Sequence, residues 1–216
     1  MVTTTEGVRP ARPSREQIDA RILEVAAGLF AAQGIDGTSL QQVADAVGYS
    51  KTGLLHRFPS KQALLDAAAA EAERRMAAVL AQVRAAPAVD GELLRYVVRV
   101  AVEHPGLLDL VMVALPADAT ATAAAPSGPG AALRATGASA RLEALAEDVV
   151  DALRPGAGPR ERLQVVLALG LVVEAARLHG DRARCPLGLD AEELVHLVAD
   201  LAGRVLAEPA APTPAV

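Results

Sequence analysis

Aromatic side chains are scarce: two Tyr, two Phe and no Trp in 216 residues. Three of the four (Phe30, Tyr49, Phe58) lie in the first 58 residues, so beyond Tyr96 the chain must pack on Leu, Val and Ala. A single cysteine, Cys185, excludes an intramolecular disulfide, and nothing near it has metal-ligand spacing. It reads as a loop thiol flanked by Arg182 and Arg184. No apolar run free of charges is long enough to span a bilayer. Met1 to Pro13 is polar and Pro-containing, unlike a signal peptide, so the expected location is the cytoplasm. Also missing are a Ser/His/Asp or Cys/His constellation, an HExxH pair, a phosphate-cradling glycine loop and paired metal ligands. An enzyme, a bound cofactor and a metal are therefore not expected.

Positive charge is limited too. The net charge is −5, which excludes a molecule coated in positive potential. Its distribution is uneven: residues 1–62 hold 7 Lys+Arg against 6 Asp+Glu, and residues 63–216 hold 14 against 20. The first part is the only region where an anionic polymer could settle without broad repulsion. Both lysines of the protein, Lys51 and Lys61, fall there.

What the chain has in quantity is helical pattern. No strand alternation is present, and 52% hydrophobic content suffices for a sizeable core. Ser14 with Gln17 forms a capping box for a first helix with Ile18, Ile22, Val25, Leu29 and Phe30 on its apolar face. Thr38 with Gln41 forms a second box, opening a short helix with Leu40, Val43, Ala44 and Val47 buried. Gly48 ends that helix. Ser50 caps a third helix, with Leu54 and Phe58 inward, and Pro59 stops it. Ser60 caps a long helix to about Arg84. Further helices are predicted over Asp90–His104, Leu107–Leu115, Ala131–Leu153 and Pro159–His179. Asp190 with Glu193 caps the last one. Pro105-Gly106 is read as an interruption, and 116–130 as an Ala/Thr/Pro/Gly loop. The expected architecture is all-α, about nine helices: a disordered arm 1–13, a three-helix domain 14–62, a helical domain 63–207 and a disordered tail 208–216.

The pair Thr38–Lys61 is the most informative stretch. A capped helix, a turn at Gly48 and a helix starting with Ser50, Lys51 and Thr52 is how a helix-turn-helix presents a helix start to the major groove. These residues resemble the N-terminal domain of the tetracycline-repressor (TetR) family. The turn Gly48-Tyr49-Ser50, the helix Lys51-Thr52-Gly53-Leu54-Leu55-His56-Arg57 and the closing Phe58-Pro59-Ser60-Lys61 carry the resemblance, with Ala20–Leu40 upstream of them. It is strong over Ser14–Ala70 and architectural beyond. Leu55 stands where the family usually has a phosphate-touching tyrosine, leaving it either to meet a thymine methyl or to pack. Tyr49 stands where valine is common, and Thr52 and Gly53 exchange the usual order.

The resemblance implies a homodimeric, sequence-specific transcriptional regulator, expected to be a repressor released by a small apolar effector. Lys51 and Thr52 would read bases, with Ser50 and Leu55 adjacent. Thr38, Ser39, Tyr49, His56 and Lys61 would hold phosphates of double-stranded DNA at a near-palindromic operator. Effector-binding candidates are Met76, Tyr96, Arg99, His104 and Met112. The last two helices are apolar over more than one face, which agrees with their pairing across a two-fold axis. The competing classes are an all-helical small-molecule carrier or enzyme, and a protein-interaction module, each with a purely structural hairpin.

Overall fold

The computed structural model describes residues 13–114, 137–180 and 188–207. Residues 1–12 of the expected arm, the 116–130 loop, Cys185 and the tail lie outside them. Among the described residues every regular element is a helix: α1 (Arg15–Gly37), α2 (Leu40–Val47), α3 (Lys51–Arg57), α4 (Lys61–Ala85), α5 (Gly91–Glu103), α6 (Pro105–Ala114), α7 (Gly137–Leu153), α8 (Pro159–Gly180) and α9 (Ala191–Ala207). The all-α class holds.

Most starts follow from local capping chemistry. Ser14 accepts from the Gln17 amide while the Gln17 side chain accepts from the Ser14 amide, and Asp190 and Glu193 exchange the same pair of bonds at α9. Ser50, Ser60 and Asp90 cap α3, α4 and α5 by accepting from Gly53, Ala63 and Leu93. Two boundaries differ from the sequence expectation. The box of α2 is Ser39 with Gln42, not Thr38 with Gln41. And α6 begins at Pro105, because proline suits the first helical position and only His104 separates α5 from α6.

Three apolar clusters organise the chain. The first joins Ile22, Ala26 and Phe30 of α1, Val43 of α2 and Leu54 of α3 to Leu64, Leu65 and Ala68 of α4, and to Leu107, Leu110 and Val111 of α6. It runs across residue 62 without a break. The second gathers Leu94 and Val98 of α5, Val172 and Ala176 of α8, and Val195 and Val198 of α9. A third lies between α4, α5, α7 and α8 around Val79, Val83, Val149 and Val165. The two Phe residues and Tyr49 all belong to the first cluster, and Tyr96 packs on the third. Surface ion pairs such as Arg84–Asp148 and Arg141–Glu73 bridge α4 to α7, the latter holding the Arg141 pKa above its ordinary value. Exposed pairs of this kind add little stability.

Candidate nucleic-acid interface

The hairpin α2–α3 is built from a tight joint and one anchor. Gly48 takes φ 75, ψ 32, the left-handed conformation that a side chain would strain, and its amide donates back to Ala44 and Asp45. The Tyr49 amide donates to the Ala44 carbonyl at 2.8 Å. Leu54 is fully buried and pins α3 to the first cluster, with Phe58 half-buried behind it. Arg57 adds an ion pair to Asp19 of α1, fixing the far end of α3.

With Leu54 inward, the opposite side of α3 is free. Ser50, Lys51, Thr52, Leu55 and His56 are all exposed, and Ser39 is exposed at the start of α2. Leu55 is 36% exposed and is not a core residue. The hairpin thus exposes one cation, three hydroxyls, an imidazole and an apolar side chain, all but Ser39 along α3 and its cap. That set can donate to and accept from base edges and phosphates.

Three expected contacts are placed differently. Thr38 is only 1% exposed, and its hydroxyl donates to the carbonyls of Gly34 (2.8 Å) and Leu29 (3.1 Å). It is corrected from a phosphate anchor to an internal tie that closes α1, whose helix breaks at Gly34 (φ 77). Lys61 is half-buried and donates from Nζ to Ile35 O (2.7 Å) and Thr38 O (3.1 Å). Its charge is spent on the carbonyl end of α1, a favourable place for a cation. Tyr49 is half-buried, packing on the first cluster and lining an open groove of about 210 Å³ with Pro13, Gln17, Ile18, Arg21, Ile22 and Val47. Sequence reasoning missed the Arg57–Asp19 pair and the Gln42–Gln33 contact (3.3 Å), which link partners 38 and 9 residues apart. No local signal marks either.

The five effector candidates do not converge. Met76 and Tyr96 pack half-buried on apolar clusters. Arg99 is exposed, 3.6 Å from Glu192, and Met112 is exposed on α6. His104 ends α5 and faces Arg75 and Glu24. A wholly apolar cavity of about 10 Å³ between α5, α7, α8 and α9 is lined by Leu94, Val98, Leu153, Val165 and Val172 among others, and by none of the five. Among the described residues no group of three or more His, Cys, Asp or Glu could hold a metal, and no helix is long and apolar enough to cross a membrane.

A self-capped hairpin with its second helix turned outward defines a helix-turn-helix domain of the DNA-binding class. Residues 22–68 match the family model described as bacterial regulatory proteins, tetR family. A 43-residue stretch is 51% identical to the HTH-type transcriptional regulator RutR of Escherichia coli (strain K12), covering 20% of this chain and 20% of that protein. The chain thus aligns with about one fifth of the length of the curated relatives it matches. Over residues 22–68 the chain is thus similar to the tetR family of bacterial regulatory proteins. Solved structures with a related chain course include Mycobacterium smegmatis AmtR, with 22% identity, TM-score 0.47, 94% of this chain and 90% of that one. The TetR family regulator PfmR of Thermus thermophilus has 19% identity, TM-score 0.44, 93% of this chain and 100% of that one.

Proposed function

We propose that this protein is a sequence-specific, homodimeric DNA-binding transcriptional regulator, a repressor released by a small molecule and acting on DNA in the cytoplasm. The observation that carries the DNA-binding part is the exposed set Ser50, Lys51, Thr52, Leu55 and His56, held at one end of α3 by buried Leu54. Lys51 and Thr52 read bases with Ser50 adjacent, Leu55 is free to meet a thymine methyl, and Ser39 and His56 hold phosphates.

Dimerisation is supported by a second observation. Leu163, Val166 and Leu167 of α8, and Leu197 and Leu201 of α9, are large apolar side chains left exposed, Leu167 at 57%. Their spacing of three and four puts each set on one helix face. A second copy covering both faces would set two α3 helices about one DNA turn, ~34 Å, apart. Release by an effector is the corresponding coupling between two sites. The apolar lining of the cavity between α5, α7, α8 and α9 suits an apolar molecule, which would have to select a conformation with more room there.

Selection of bound fragments from a random DNA pool tests the proposal. An inverted repeat is the expected product, and Lys51→Ala and Thr52→Ala should each weaken its binding by about 1–3 kcal/mol. No enrichment at low salt by intact dimers would remove it. A carrier would instead keep its ligand affinity in both variants.

A further inference from the structure

The joint between α1 and α6 has a chemistry unlike the apolar packing around it. In the middle of α1, Glu24 accepts the Gly106 amide at the first turn of α6. This carboxylate therefore caps a helix 82 residues away. The backbones meet here: a Cβ on Gly106 would overlap the Glu24 carbonyl oxygen and lie 2.9 Å from Glu24 Oε1 and 3.1 Å from Gly28 N. Behind the carboxylate, Arg75 of α4 donates to His104 Nε2 at 2.5 Å. On its other side the His104 ring places Nδ1 3.6 Å from Glu24 Oε2. Glu71 completes the group, 2.7 Å from Arg75 Nε. Glu24 Oε2 is buried without a hydrogen bond, a cost that an apolar residue would avoid.

The position of α6 gives this joint its meaning. Leu107, Leu110 and Val111 belong to the cluster that holds α2 and α3, whereas Leu108 packs on the α5–α8–α9 cluster. Asp109 of α6 pairs with Arg177 of α8. On the other side, Asp19 of α1 pairs with Arg57 of α3. We infer that Glu24 is a positioning residue: by capping α6 through Gly106 it sets the angle of the reading helix against the dimer body, and hence the operator half-site spacing the protein accepts. This rests on the proposed operator binding and dimerisation.

The test is binding by the full-length dimer to the selected inverted repeat and to versions lengthened or shortened by one or two base pairs. The wild type should favour one spacing. Glu24→Ala should flatten that preference by about tenfold, the scale of a typical coupling between sites. Gly106→Ala, which forces α1 and α6 apart, should flatten or shift it. Glu24→Gln, which keeps an acceptor for the Gly106 amide, should stay near wild type. Val149→Ala, in the third cluster and outside the cavity lining, should lower the melting temperature without changing the spacing profile. A folded Glu24→Ala dimer with the wild-type profile overturns the inference and leaves operator binding standing. A wild type that enriches no repeat overturns both.

Discussion

Around Phe30, the first cluster buries its large apolar side chains and leaves mainly small, polar or charged groups outside, with Leu55 and Met112 large apolar exceptions. Along α8 and α9 the opposite holds: Val165, Val172, Val195 and Val198 face inward while Leu163, Val166, Leu167, Leu197 and Leu201 face out. The hairpin shares a closed core with α1, α4 and α6 and offers hydrogen bonds. Among the described residues the helical pair leaves large apolar side chains exposed, and exposed patches of that kind mark interaction surfaces. Under the proposed function the first region reads a groove and the second is covered by another copy of the chain.

The largest expected effect breaks the closed region. Leu54→Ala removes a fully buried side chain and should cost about 2–5 kcal/mol, measured by denaturant unfolding, with operator binding lost as α3 comes free. Retained operator affinity in that variant would mean that α3 has another anchor. Next, Leu163→Glu with Leu167→Glu attacks the open region. It should turn dimers into monomers in sedimentation and weaken operator binding about 100-fold, or ~2.7 kcal/mol, while leaving the hairpin folded. A dimer that survives both charges does not use this face.

Smaller effects sharpen the contrast within the hairpin itself. Lys61→Ala should lower stability by about 1.5 kcal/mol, because its bonds go to Ile35 and Thr38 carbonyls. The salt dependence of operator binding should not change, whereas loss of a phosphate-bound lysine reduces the logarithmic slope by about one. A reduced slope would return Lys61 to the DNA surface. Ser39→Ala should cost about 1 kcal/mol as a lost cap. Ser39→Asp should keep the cap and still weaken operator binding through repulsion of phosphate. Equal binding by Ser39→Asp and wild type would take Ser39 out of the interface.

How far local chemistry reaches is seen at Thr38 and Ser39. Each is a hydroxyl residue followed three positions later by glutamine, Gln41 or Gln42, so the capping signal is degenerate by one residue. Tertiary packing broke the tie by burying Thr38 against the carbonyls of α1. The same packing diverted Lys61, which in sequence is simply a cation in the first turn of a helix. It also spread Met76, Tyr96, Arg99, His104 and Met112 over different surroundings: Met76 and Tyr96 share the third cluster, while Arg99 and Met112 are exposed.

The helices, most of their caps, the turn at Gly48 and the exposed edge of α3 were determined by the sequence itself, because each depends on residues within about four positions of one another. Only the tertiary structure decided which polar groups remain available for DNA, and that Glu24 would cap α6, 82 residues on. Those outcomes depend on which surfaces collapse together, and a carboxylate or a lysine carries no mark of the distant carbonyl or amide it will meet.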